Sequence, residues 1–247
     1  MSKTFTIDCF HEHLPPSAEC TVTVAVDVLR ATTTAVTAVM AGWRVFVAPS
    51  LEAAVPLAAR LAHPVLAGEL GGHMPYGFHL QNSPCAVAAV HDHERPLILL
   101  STSGTRLMSE AATAGPSYAA CLRNVSAQAE ALAGHEHVRL LGADTRGEFR
   151  LEDQLCCVRI ARLLLDRGFE PADAATAVHV ERLADAPDDV IFESPSVRYL
   201  RDTGQEHDVG FVLDHVDDLR SVFPILDGEV RARVVLTDIK RARAGDQ

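Results

Sequence analysis

Asp27, Arg30, Thr32, Thr33 and Thr34 fall together where one apolar run, residues 21–29, hands over to another, residues 32–41. An acid, a base and three hydroxyls at such a junction suit charged ligands. A carboxylate holds a cation, while a guanidinium and the N–H groups of a helix start hold an anion. The simpler reading is capping, since a Thr hydroxyl can satisfy a helix-start N–H. One cap suffices, however, and three successive β-branched residues restrict one another at a helix start. Both readings of ATTTA therefore stand.

Other strand-like runs end in the same way. Residues 97–101 run into STSGTR, where small residues would let the backbone approach a phosphate; an ordinary strand-to-helix turn capped by Ser103 reads equally well. Residues 64–67 open into the Gly-rich segment 68–82, about fifteen residues long, and loops of that length are often functional. Glu69 at its head reads as a metal ligand or as a solvated loop acid; Asn82 and Ser83 close it at a helix start. Residues 137–142 lead into ADTRGEFRLEDQ, which gathers Asp144, Arg146, Glu148, Glu152 and Asp153. Glu152 and Asp153 either take part in chemistry or complement the dipole of a helix over 151–167.

These stretches sit on alternating elements. Strand-like runs at 21–29, 44–48, 64–67, 97–101, 117–121 and 137–142 alternate with helix-like runs at 32–41, 50–62, 83–90, 104–113, 124–133 and 151–167. The alternation predicts an α/β protein with a mostly parallel or mixed sheet and helices on both faces. Ligands of such folds bind beyond the carboxyl ends of the strands, where the polar stretches lie. Pro56 should break or kink the run 50–62. The pattern changes after about residue 168, so a single domain, 1–247, is expected, with the C-terminal part either flanking the sheet or forming a small lobe. In that part GEVRARVVL alternates like an antiparallel strand with one wet face.

The bulk numbers exclude several classes. The net charge is −11 over 247 residues with no dense Lys/Arg run, so no nucleic-acid partner is expected. No apolar run approaches the length of a membrane span, and the first residues lack the apolar core of a secretory signal. A soluble, cytoplasmic protein is expected, with its oligomeric state, homo-oligomer included, left open. The six Cys form no CxxC and read as reduced, partly buried thiols. His11/His13, His91/His93 and His135/His137 lie in polar, loop-like surroundings and read as surface histidines, since zinc needs three or four converging ligands. There is no Walker A loop, GxGxxG or GxSxG.

Taken in order, DVLRATTT, GE-GG…GF-L-NSP, TSGTR and TRGEFRLED resemble the 2-phosphosulfolactate phosphatase (ComB-like) family over roughly residues 22–160, with a fainter echo in SPSVRYLRDTG…DVGFVLDHVDDLRSVFPIL. The resemblance implies a three-layer α/β/α architecture and a Mg²⁺-dependent phosphatase of coenzyme M biosynthesis. It would release phosphate from 2-phospho-3-sulfolactate, a small anionic substrate, to give sulfolactate. On this reading Asp27, Glu69 and Asp153 hold the metal or activate water, with Glu152 and Asp144 in reserve. Arg30, Arg106 and Arg146 meet the anion. Thr32, Thr33, Thr34, Asn82, Ser83, Ser103, Gly104 and Thr105 supply neutral donors.

The chain departs from the family pattern at Leu70, His79, Gln81 and Ser103. With Leu70 and His79 in loop 68–82, where substrate selection is expected, a related phosphorylated hydroxy acid is a second candidate. A non-catalytic phosphate- or anion-binding protein is the alternative of another class. A covalent phosphatase with Asp27 as nucleophile would want a DxD pair, but position 29 is Leu. No Cys sits in a CxxxxxR loop, against a thiol phosphatase.

Overall fold

The computed structural model describes residues 2–10, 13–16, 21–145 and 147–235; Arg146, His11 and Cys20 lie outside them. In chain order the strands are β1 (Lys3–Phe10), β2 (Thr21–Val26), β3 (Val45–Ala48), β4 (Val65–Gly68), β5 (Leu97–Leu100), β6 (Ser117–Ala120), β7 (His137–Thr145), β8 (Glu148–Phe149), β9 (Phe169–Pro171), β10 (Ser221–Leu226), β11 (Glu229–Val230) and β12 (Arg233–Val234). The helices are α1 (Ala31–Ala41), α2 (Leu51–Arg60), α3 (Pro84–Ala88), α4 (Gly104–Ala114), α5 (Val125–Leu132), α6 (Leu151–Leu165), α7 (Ala174–Leu183), α8 (Pro195–Asp202) and α9 (His207–Asp214).

The strands form one mixed sheet in the order β4-β5-β3-β11-β10-β6-β2-β7-β1-β9, with helices on both faces, a three-layer α/β/α arrangement. Side chains alternate across it as the pleat requires. Val22, Val24 and Val26 of β2 pack into the core under α5 and α6, while Ala25 faces the core under α1 and α4. The predicted strands and helices are found within a few residues of their expected limits. The strand β1 was not among the expected ones: Thr4, Thr6 and Asp8 interrupt its apolar residues, so no apolar run marks it.

Two features depart from expectation. Helix α2 runs through Pro56 unbroken. Only Ala54 of that helix is buried, so little packing depends on its regularity. The C-terminal part, expected to flank the sheet or stand apart, is divided. Helices α7, α8 and α9 add to one face, but β10 and β11 lie inside the sheet, where β10 pairs antiparallel with β6 and with β11, and β11 antiparallel with β3. Three antiparallel steps mean that the parallel block β4-β5-β3 runs opposite to the parallel block β6-β2-β7-β1-β9. The helix starts after β2 and β5 nevertheless meet, because a Cβ added to Gly104 would lie 2.0 Å from Asp27 Oδ2 and 2.6 Å from the Cβ of Ala31.

Candidate active site

A cavity of about 200 Å³ lies where the segments after β2, β4 and β5 meet the start of α6 and one side of α8. Asp27, Arg30, Glu69, Asn82 and Ser103 line it, together with Arg150, Ser196 and Tyr199. Five sequence stretches far apart in the chain are thus brought to one place.

The threonines build the turn that presents Asp27. Thr32 Oγ1 accepts from the Asp27 N–H at 2.9 Å and donates to the Asp27 carbonyl at 2.8 Å. Thr33 Oγ1 donates to the Val28 carbonyl at 2.8 Å. With Thr34 they are buried, and none lines the cavity. For Thr32 and Thr33 the structure supports the local reading over the ligand reading, because a β-branched hydroxyl reaches its own preceding turn more easily than a neighbouring site; the buried Thr34 hydroxyl has no hydrogen-bond partner among the described residues.

The acids divide into two kinds. Asp27, Glu152 and Asp153 are buried near one another at the start of α6, and Asp153 Oδ1 accepts the Val28 N–H at 2.7 Å. Burial pushes the Asp27 carboxyl up to about 7; the negative charges of Glu69 and Glu152 add to this, while the Ala31 N–H and Arg30 oppose it. Asp153 is pushed well above the ordinary carboxylate range by burial, then by Asp27 and Glu152. Glu152 is raised by burial against hydrogen bonds from Ser194 and Ser196, and its Oε2 has no hydrogen-bond partner among the described residues. Such a group favours the proton or a cation, since like charges in a dry site cannot all remain ionised. Glu69 is different. It accepts from the Thr102 N–H at 2.7 Å, the Thr102 hydroxyl at 2.9 Å and the Gly72 N–H at 2.6 Å. Three of the roughly four lone-pair positions of a carboxylate are thereby used to fasten the loop after β4 to that after β5.

Hard carboxylate oxygens fit magnesium, which takes one or two protein carboxylates and keeps water for the rest of its shell. Asp27 and Asp153 fit such a pair best, with the unpartnered Oε2 of Glu152 beside them. Among the described residues, no three of these acids bring ligand atoms within 4.8 Å of one another; only Cys85, His207 and Asp208 do so.

Arg30 is buried at the cavity wall, its Nη1 donating to Asp208 Oδ2 at 2.7 Å and Gln205 Oε1 at 2.6 Å. Arg150 is the second cation of the lining. Its Nη1 meets Glu148 Oε2 at 2.5 Å, and its buried Nε has no hydrogen-bond partner among the described residues. Of the other expected cations, Arg106 lies over the Phe10 ring, outside the lining, and Arg146 is outside the described residues. Asp144, on β7, is likewise not part of the lining.

Around STSGTR the two roles are split between neighbours. Ser103 makes no cap hydrogen bond and faces the cavity. Capping passes to Ser101, whose Oγ accepts the Thr105 N–H at 2.9 Å, and the Thr105 hydroxyl returns to the Ser101 carbonyl at 3.0 Å. Gly104 admits Asp27 by having no Cβ. Ser83 caps α3 and donates to Asp208 Oδ1 at 2.6 Å, so of the pair at the close of loop 68–82 only Asn82 lines the cavity.

Among the departures, only Ser103 touches the cavity. His79 instead accepts the Leu66 N–H at 2.9 Å through Nδ1, and Leu70 lies half out in solvent. From loop 68–82 the backbone at Gly71 and Gly72, not those side chains, faces the cavity. Tyr199 covers it: a Cβ on Gly72 would lie 2.0 Å from the Tyr199 hydroxyl, and Gly72 has φ +88°. That hydroxyl is buried with no hydrogen-bond partner among the described residues.

Arg150, Ser196, Tyr199 and Asp208 were not among the expected site residues. The first lies within TRGEFRLED, and Ser196, Tyr199 and Asp208 within the fainter echo, but nothing local marks any of them. The described histidines of the three HxH pairs stay away from the cavity: His13 is near Glu110, His93 packs on Trp43, and His137 meets Thr4. Cys156 and Arg162 have the CxxxxxR spacing, but on α6, with the thiol buried in the core and pushed far up by that burial.

Fold and cavity define a class: an α/β/α protein whose pocket sets buried acids beside arginines and backbone N–H groups, suited to a small polyanion. A family model described as 2-phosphosulpholactate phosphatase matches residues 9–228, and the chain belongs to that family, whose name denotes phosphoric monoester hydrolases. The chain is 33% identical over 210 residues to the probable 2-phosphosulfolactate phosphatase of Pseudothermotoga lettingae, covering 85% of this chain and 91% of the relative. It is 35% identical over 215 residues to the protein of the same description from Thermus thermophilus, covering 85% and 89%. No helix among the described residues is long and apolar enough to cross a membrane.

Proposed function

We propose that this protein hydrolyses the phosphate monoester of 2-phospho-3-sulfolactate, releasing 3-sulfolactate and phosphate, with Mg²⁺ as its metal. The observation that carries the reading is the meeting in one cavity of the buried Asp27 carboxyl with Arg30 and Arg150.

The substrate brings about two charges on its phosphate, a carboxylate and a sulfonate, into a cavity whose wall already carries Asp27 and Glu69, with Glu152 and Asp153 behind. Arg30 and Arg150 supply planar donor forks for that anion. Asn82, Ser103, Ser196 and the Gly71–Gly72 backbone supply neutral contacts at the rim. Asp27 and Asp153 would hold the metal, which when bound neutralises phosphoryl charge. Held as the carboxylate, Asp27 would orient the water that attacks phosphorus and take a proton from it. The P–O bond to the hydroxy acid then breaks, and the proton taken from water passes to that oxygen, which leaves as the hydroxyl of sulfolactate. Tyr199 closes the cavity opposite the Gly72 backbone.

The test is phosphate release from synthetic 2-phosphosulfolactate with Mg²⁺ and with EDTA, beside phospholactate and 3-phosphoglycerate. Metal-dependent release with preference for the sulfonated substrate is expected. Folded protein that releases phosphate from none of the three would end this reading. A second expectation concerns Tyr199→Phe. An unpartnered buried hydroxyl contributes nothing to folding, so the melting temperature should hold or rise. If that hydroxyl donates to the anion, KM should rise roughly tenfold to a hundredfold, the worth of a hydrogen bond to a charged group. Unchanged KM would remove Tyr199 from the binding site.

A further inference from the structure

Behind Arg30, on the side away from the cavity, Cys85 of α3 and His207 and Asp208 of α9 form a second constellation. Their Sγ, ring nitrogen and carboxylate oxygen lie within 4.8 Å of one another, and His207 Nε2 is 3.8 Å from Asp208 Oδ1. In a tetrahedral zinc site, ligand atoms about 2.0–2.3 Å from the ion stand roughly 3.6 Å apart. The His207–Asp208 pair is already close to that spacing, and the His207 ring, mostly in solvent, has room to turn.

We propose that Cys85, His207 and Asp208 are ligands of a borderline-soft divalent cation, of which Zn²⁺ is the type, and that the ion fastens α3 to α9 behind Arg30. Thiolate, imidazole and carboxylate together select such an ion over magnesium, which prefers oxygen alone. The half-buried thiol and exposed imidazole leave a way in, and water completes the shell.

The carboxylate can serve both duties. Asp208 Oδ2 holds Arg30 at 2.7 Å, while Oδ1 accepts from Ser83 Oγ at 2.6 Å and only distantly from the Cys85 N–H, at 3.3 Å. An ion on Oδ1 would displace the longer of these two contacts, that from the Cys85 N–H. Burial, and then Asp208, hold the Cys85 thiol up at about 12 without an ion, so uptake displaces that proton to solvent. The site is independent of the phosphatase reading: it uses no residue of the cavity lining and needs no substrate.

Cobalt reports it directly. Titration of the full-length protein with Co²⁺ should produce a thiolate-to-cobalt charge-transfer band that Zn²⁺ abolishes. The band should vanish in Cys85→Ser, and His207→Ala should weaken binding by at least about tenfold. Zn²⁺ should also raise the melting temperature of the parent and not of Cys85→Ser, since an ion bound only to the folded state stabilises it. Absence of the band from the parent protein overturns the proposal. So does a band that survives in Cys85→Ser, which would place the ion on another thiol. Should Cys85→Ser fail to fold by circular dichroism, the His207→Ala titration decides alone, with unchanged affinity counting against the site.

Discussion

Asp27→Asn should lower kcat/KM for phosphate release by about 10²–10⁴-fold, the range associated with loss of a positioned acid–base group, while making the metal-free protein more stable at pH 8. The second half follows from linkage. The Asp27 carboxyl is raised from 3.8 to about 7 on folding, mainly by burial. A native state that binds its proton more tightly than the unfolded chain gains stability that is fully present below about pH 4. That gain is lost as pH rises through the folded value of about 7. At pH 8 the wild-type protein keeps a carboxylate ionised in a dry site beside two other acids, a cost on the order of a few kcal/mol. Asn keeps the shape and an acceptor for the Ala31 N–H but carries no charge. Thermal unfolding in EDTA from pH 4 to 8 should show the wild-type melting temperature falling and the variant falling less. Magnesium should reverse the order by stabilising the carboxylate form alone. A variant that is inactive and also less stable at pH 8 in EDTA would mean that Asp27 is a structural anion.

Asp208→Ala should cost about 3–5 kcal/mol of folding stability, because it leaves a buried guanidinium without its counter-charge. The side chains of Arg30 and Asp208 are 4% and 0% exposed, so water cannot take over the lost contact. Asp208 also accepts from Ser83, which caps α3; its loss therefore loosens α3 from α9 as well. The urea midpoint should fall with the slope unchanged. A double variant, Arg30→Met with Asp208→Leu, separates the roles. Replacing both partners of a buried pair by apolar groups is often neutral or stabilising, so stability should largely return while activity does not. A loss below about 1 kcal/mol in Asp208→Ala, the size of an exposed pair, would show that the pair is solvated in solution.

Much of the site was legible in the sequence, because the chemistry is concentrated in short segments that follow apolar runs. Asp27, Arg30, Glu69, Asn82 and Ser103 all reach the cavity, and each lies at or just beyond the end of a strand-like run or just before a helix-like one. The α/β alternation was legible for the same reason: a strand buried on both faces has to be apolar throughout. Local sequence also holds the two meanings of a hydroxyl at a helix start, but it does not choose between them. Thr32 and Thr33 turned back onto the preceding backbone, whereas Ser103 was released to the cavity because Ser101 took the capping.

Tertiary structure alone decided the rest. Arg150 faces the cavity because α6 starts beside the segment after β2, as the Asp153–Val28 hydrogen bond fixes. Tyr199 and Asp208 arrive from elements more than a hundred residues beyond Asp27, brought in when α8 and α9 pack on the sheet. Their partners are set by which faces become buried together, a property of the whole core that no local window contains. The opposed directions of the two parallel blocks have the same origin: β10 and β11, from the end of the chain, enter between strands from its beginning, and their antiparallel pairing sets how the two halves meet.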